Sequence, residues 1–165
     1  MPSFRKVLLL AIAAGLGSTS CQGLHLFEDE APLDPSAPYG ISILETGSCP
    51  LPPGVDAARM RILGLRVRLR AGRDDVPANF FYASVLTNDE NRYLAEHTGC
   101  TPVLSGRPLR AGEVREGYLN FPLPLEKSAQ TLVYAPLIDG LSEKEQTKSL
   151  ALGPREADTS GDEDP

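Results

Sequence analysis

The chain has 165 residues, a formal net charge of −6, three cysteines, no tryptophan, and fifteen each of proline and glycine. That size bounds it to one domain of moderate core with additions at its ends. The acidic balance argues against a nucleic-acid partner, and so much proline and glycine suits a loop-rich β protein better than a helical bundle. The charge is unevenly spread: residues 1–21 carry +2, residues 22–38 carry −4, residues 39–152 hold 13 acids against 13 bases, and residues 153–165 carry −4. A neutral block between two acidic ends marks a domain at 39–152.

The N-terminus opens with Arg5 and Lys6, then the apolar run Val7 to Gly17. Eleven residues are too few to span a bilayer, which takes about 20, and the pattern fits the signal peptide expected over 1–20. The small residues Ser18, Thr19 and Ser20 lead to Cys21. "LGSTSC" resembles the lipobox of bacterial lipoproteins, in which the cysteine sulfur receives a diacylglycerol before cleavage. It departs from that pattern in having Ser18 where leucine is usual. Ordinary cleavage after a small-x-small site would also cut before Cys21. The resemblance implies an N-terminal lipid anchor to a membrane. Gln22 stands where aspartate would signal inner-membrane retention, which implies the outer membrane, the alternative being a secreted or periplasmic protein.

Residues 21–38 read as a tether. Pro32, Pro35 and Pro38 favour extended backbone, and the 17 residues after Cys21, 22–38, at about 3.3 Å each reach at most about 55 Å. Leu24, Leu26 and Phe27 offer the alternative of packing on the domain or the membrane surface. The tail, 153–165, lacks apolar residues and is expected to be disordered.

Between these ends the spacing predicts strands. "YGISILE" (39–45) is the first. In "RILGLRVRLRAG" (61–72), Leu63, Leu65, Val67 and Leu69 alternate with Arg66, Arg68 and Arg70, a half-buried strand. "ANFFYASVLT" (78–87) is aromatic and β-branched. "NDEN" (88–91) makes a hairpin turn into "RYLA". Gly112 supplies a turn before 113–123, where Gly117, Leu119, Phe121 and Leu123 share one face with Tyr118 and Asn120 on the other. "QTLVYAPL" (130–137) and "TKSLALG" (147–153) complete the set, with one helical turn in "LSEKEQ" (141–146). Seven or eight short strands with these breakers read as an all-β, antiparallel, immunoglobulin-like sandwich.

The segments "LGLRVRLRAG", "NFFYASVLTNDENRYL", "LRAGEVREGYLNFPLP" and "LVYAP" together resemble the telokin-like, immunoglobulin-type domain of many bacterial lipoproteins and secreted proteins. They are similar to the mycobacterial immunoprotective extracellular protein fold. Gly112–Glu113, Gly117, Phe121–Pro122 and Leu132–Tyr134 carry the likeness, over roughly 60–137. The hairpin departs from it in having no glycine in "NDEN". The resemblance implies a sandwich fold and an envelope or extracellular location, and no activity.

The chemistry-bearing residues are few. An odd cysteine count in an exported chain needs an explanation. With Cys21 acylated, Cys49 and Cys100 are left to pair in an oxidising compartment, closing a loop worth about 4 kcal/mol in the chain-entropy model. The other reading makes them small buried hydrophobes. His25 and His97 have no histidine four residues away, so no zinc-protease helix exists, and no G-x-S-x-G elbow is present. Asp74–Asp75 and Asp89–Glu90 lie in turns without the calcium-loop pattern. No cofactor or metal is implied, and the chain is expected not to be an enzyme. The most distinctive surface feature is the row Arg66, Arg68, Arg70. At about 6.6 Å spacing it forms a possible anion-binding stripe for an anionic polysaccharide, a lipid headgroup or an acidic envelope protein. The plainer reading is a solvated face paired with Glu113 or Glu116. The chain is accordingly expected to be a non-catalytic, lipid-anchored binding module of the cell envelope.

Overall fold

The computed structural model describes residues 36–153. Cys21 and the leader, most of the tether, and the tail beyond Gly153 lie outside the described residues.

Among the described residues, seven strands form two antiparallel sheets. The first has the order β1-β2-β5, with β1 at Tyr39–Cys49, β2 at Met60–Ala71 and β5 at Val114–Pro124. The second has the order β4-β3-β6-β7, with β3 at Ala83–Thr87, β4 at Arg92–Leu94, β6 at Ala129–Tyr134 and β7 at Lys148–Ala151. The chain changes sheet after β2, β4 and β5, so neighbours within a sheet come from distant sequence, as in immunoglobulin-type sandwiches. The all-β sandwich expected from the spacing is the fold observed.

The alternation in β2 does what the pattern implies. Leu65, Val67 and Leu69 are fully buried, while Arg66 and Arg70 are exposed. On β5, Leu119, Phe121 and Leu123 are likewise buried, and they meet Val85, Leu132 and Tyr134 of the opposite sheet in one core. Burying such side chains contributes about 1.5–3 kcal/mol each.

Two tyrosines lock the layers together. The Tyr39 hydroxyl, at the start of β1, lies 2.9 Å from the Tyr134 carbonyl and 2.6 Å from the Gln146 carbonyl, and donates between them. The Tyr134 hydroxyl sits among Pro77 and Asn79 backbone groups at 3.0–3.2 Å. Burial, first of all, pushes both phenols above their ordinary pKa. Buried phenols find hydrogen-bond partners because an unmet hydroxyl in a low-dielectric core is costly.

Local expectations needed three corrections. Phe80–Tyr82, read as strand, is a single 3-10 turn, and the strand begins only at Ala83. The crossover from the first sheet arrives here, and Phe80 N–H is spent on the Leu104 carbonyl. β6 ends at Tyr134, before Pro136, whose ring nitrogen has no hydrogen to donate to a ladder. β1 runs past Glu45 to Cys49, with a bulge between Ile43 and Glu45 that admits Leu44. The expected single helical turn is present as α1, Glu143–Gln146, closed by a capping box from Ser142 and Glu145. In the hairpin turn without glycine, Glu90 takes the left-handed conformation at φ 63°.

Candidate binding surface

The outer face of the β1-β2-β5 sheet brings together Arg66, Arg68 and Arg70 with the Cys49–Cys100 pair, while Cys21 lies outside the described residues. Register sets the arrangement. Arg68 stands between Ser42 and Glu116, Arg66 between Glu45 and Tyr118, and Arg70 between Gly40 and Val114.

Glu116 therefore faces two guanidinium groups at once. Its Oε2 accepts from Arg66 Nη2 at 2.8 Å, and its Oε1 accepts from Arg68 Nη2 at 2.8 Å and Nε at 3.0 Å. The hydrogen bond from Arg68, and then that from Arg66, holds the Glu116 carboxyl below its ordinary pKa. Of the two carboxylates named as partners for the stripe, Glu116 takes the role and Glu113 does not. Glu113 lies at the turn before β5 and binds Arg107 Nη1 and Nη2 at 2.8 and 2.7 Å. Arg107, together with the Arg110 backbone N–H, lowers its pKa to about 2. Arg70 has no ion-pair partner among the described residues. The row is thus a charge-mixed ladder rather than a bare cationic strip.

One wall of this face is built by a disulfide. Cys49, at the end of β1, is bonded to Cys100 in the β4–β5 connection, with Cα atoms 5.1 Å apart. The bridge crosses the sheet directly above Gly64: a Cβ there would lie 2.2 Å from Cys49 Sγ and 3.3 Å from Cys100 Sγ. A glycine inside a strand marks such a close approach.

Beside it on β5 stands Asn120, fully buried. Its Oδ1 accepts from Cys100 N–H and its Nδ2 donates to the Cys100 carbonyl, each at 3.1 Å, so one side-chain amide stands in for a strand partner. Backbone bonds extend the attachment: Glu96 N–H to the Asn120 carbonyl, Tyr118 N–H to the Pro102 carbonyl, and Leu104 N–H to the Tyr118 carbonyl. Gly117 permits the contact, since a Cβ there would meet Leu104 backbone at 2.6 Å. Segment 96–104 so covers the β5 edge of the sheet, a common protection of an exposed ladder.

Where this segment meets the arginine row there is a hollow of about 370 Å³, lined by Arg66, Thr101, Pro102, Glu116, Gly117 and Tyr118. The Tyr118 hydroxyl reaches toward Glu45 Oε2 at 3.4 Å. The hollow offers guanidinium and hydroxyl donors, carboxylate acceptors and an aromatic ring within one concavity. That set matches a ligand rich in hydroxyl groups better than a polyanion, because Glu116 already occupies donors of two arginines.

The remaining titratable residues serve local structure. Asp89 accepts from Thr87 Oγ1 and Asn91 Nδ2 at 2.6 Å and from Lys127 Nζ at 2.5 Å, which pins the β3–β4 turn to the β5–β6 connection. Lys127, then Thr87, depresses its pKa. Asp74 pairs with Arg73 at 3.0 Å. His97 stacks edge-on against Phe80 with ring centroids 5.9 Å apart. Among the described residues no three His, Cys, Asp or Glu side chains are grouped to hold a metal ion.

No family model matches the chain, and no curated protein matches it. Solved structures do. A candidate lipoprotein, ycdA, of Bacillus subtilis subsp. subtilis strain 168 superposes with a TM-score of 0.55 at 18% identity, over 69% of this chain and 36% of its own. The chain thus spans about a third of that protein. The yjhA protein of Bacillus subtilis superposes with a TM-score of 0.50 at 17% identity, over 71% of this chain and 93% of its own. MPT63, a secreted protein of Mycobacterium tuberculosis, aligns more loosely, with a TM-score of 0.45 at 18% identity over 58% of this chain and 72% of its own. At these identities the likeness is one of fold.

Proposed function

We propose that this protein is a non-catalytic binding module of the cell envelope, held to a membrane by lipid on Cys21, and that it engages a hydroxyl-rich ligand through the outer face of the β1-β2-β5 sheet. Envelope polysaccharide is the ligand class that fits. The observation that carries the reading is the hollow beside Arg66, Glu116 and Tyr118, whose wall is fixed by the Cys49–Cys100 bridge and by Asn120. A wall fixed before the ligand arrives lowers the ordering cost of binding. The lipobox-like "LGSTSC" supports the anchor, and a fold neighbour named as a candidate lipoprotein is consistent with it. Binding a polyanion along the arginine row is the weaker alternative, since Glu116 holds Arg66 and Arg68.

The test is charge reversal of Arg66, Arg68 and Arg70 to glutamate, with retention on immobilised envelope polysaccharide as the readout. Retention should drop at least tenfold while the melting temperature stays within a few degrees. Unchanged retention by a folded variant would remove this face as the binding surface.

A further inference from the structure

The hollow on the outer face has an aromatic floor. Tyr118 of β5 stands opposite Arg66 of β2, and Glu45 of β1 stands on the other side of Arg66. The Tyr118 hydroxyl reaches toward Glu45 Oε2 at 3.4 Å, so its side chain crosses the width of β2. A Cβ built on Gly64 would lie 3.6 Å from Tyr118 Cδ1 and 2.2 Å from Cys49 Sγ. The ring therefore reclines on β2, between Arg66 and the disulfide, instead of standing up from the sheet. One face is turned to the backbone and the other to the hollow, which the ring lines together with Thr101 and Pro102.

Beside this floor is a hydrogen-bonding pair with capacity left over. Among the described residues the Arg66 guanidinium is hydrogen-bonded through Nη2 alone, to Glu116 Oε2 at 2.8 Å. Its Nε and Nη1 keep N–H groups to donate. Both contacts from Arg68 fall on Glu116 Oε1, so Oε2 keeps room for a second donor. A donor and an acceptor thus stand side by side, each holding the other in place.

We infer, resting on the reading of the outer face as the ligand face, that the hollow recognises an uncharged sugar ring, its C–H face on Tyr118 and two adjacent hydroxyls of its edge against Arg66 and Glu116. The face of an aromatic ring is electron-rich and attracts the slightly positive C–H bonds that a sugar ring presents on one side. One hydroxyl accepts from Arg66 while its neighbour donates to Glu116 Oε2, and the two protein groups need not release each other. A carboxylate on the sugar would enter between Glu116 and Glu45, where like charges repel. A linear polyol offers the same hydroxyls but no flat face, and it loses more freedom on binding. The hollow, at about 370 Å³, is at the small end of the range of about 300–1,000 Å³ usual for small-molecule sites.

The full chain is passed over immobilised dextran, mannan and galactan, three uncharged polysaccharides, each before and after treatment with periodate and then borohydride. Periodate breaks the carbon–carbon bond between adjacent hydroxyls, and borohydride turns the resulting aldehydes into alcohols. Hydroxyls remain while the rings are opened. At least one intact polysaccharide should retain the protein, and its opened form should do so at least tenfold less. As a soluble competitor, its carboxymethylated form should be several-fold weaker than the parent; equal competition would overturn the requirement for an uncharged ring. Tyr118→Phe keeps the ring and should stay within twofold of wild type. Tyr118→Leu keeps apolar bulk without an aromatic face and should lose at least tenfold, with a melting temperature within a few degrees of wild type. Equal retention on opened and intact polysaccharide, or a Tyr118→Leu protein retained like wild type, would overturn the sugar-ring assignment and leave the outer face a site for polyols. Retention on none of the three, beside retention on envelope polysaccharide that Arg66→Glu abolishes, would overturn it as well. Retention on neither would remove the broader reading with it.

Discussion

At Asn120 a single side chain does work normally given to a strand. It lies on the outer face of β5, yet it is fully buried, because Cys100 and Gly99 close over it. Both polar atoms of its amide are matched to one backbone unit. Asn120→Ala should therefore destabilise the domain by about 2–3 kcal/mol, the cost of leaving a buried donor and acceptor unmet. Asn120→Asp should cost at least as much, since a carboxylate accepts from Cys100 N–H but offers nothing to its carbonyl. Urea unfolding of both variants checks this; an Asp variant as stable as wild type would contradict it. None of this was legible in the sequence. Period-2 spacing assigned Asn120 to the face opposite Leu119 correctly, but the segment that buries it comes from 20 residues upstream. Gly64 is similar: its reason is a disulfide passing overhead, not a local bend. The arginine row was legible as a row. So was its pairing with Glu113 or Glu116; which of the two takes the role was not, since that depends on a β2–β5 register set across a separation of about fifty residues, which brings Glu116 opposite Arg68.

At the scale of elements, the strands with clean alternation, β2 and β5, stood where the sequence put them, because one buried face leaves no freedom of register. Those that strayed lacked this constraint. "TGSC" carries no apolar alternation, yet it continues β1 because Cys49 is tied to the loop over β5. Phe80–Tyr82 has strand composition but meets a crossover. The odd cysteine count, with Cys21 given to a lipid by its lipobox resemblance, left Cys49 and Cys100 to pair, and the structure contains that bond. The segment it secures, 96–104, has both a covalent and a hydrogen-bonded attachment. Replacing Cys49 and Cys100 with alanine should cost about 2–5 kcal/mol while Asn120 and Tyr118 keep the loop close to β5. Stability should be lost in greater proportion than polysaccharide retention. Denaturant unfolding beside a retention assay reads both, and full loss of retention with little loss of stability would reverse the roles given to the two attachments.

For the molecule as a whole, pH dependence follows from the direction of its shifted groups. Glu113, Glu116, Asp89 and Glu145 are all held below the ordinary carboxylate range by hydrogen-bonding partners. A depressed carboxylate contributes stability that is complete above its unfolded pKa, near 4, and is lost as pH falls through the folded value. For Glu113 that value is about 2. The melting temperature should therefore fall between about pH 4.5 and 2, modestly, because these pairs face solvent, and less at high salt. Glu113→Gln together with Glu116→Gln should flatten that limb in a pH series of thermal melts, and an unchanged slope would exclude these pairs as its source. The alkaline limb has the opposite sign: Tyr39 and Tyr134, raised by burial, stabilise below about pH 10 and cease to as pH climbs through their folded values.

The proposal that this sandwich binds through its disulfide-walled outer face is tested most directly by following backbone amides by NMR while envelope polysaccharide fragments are titrated in. The expected result is a saturable set of shifts centred on Arg66, Thr101, Gly117 and Tyr118, with the amides of β3 and β4 unmoved. Shifts confined to the opposite sheet, or none at saturating ligand, would contradict it.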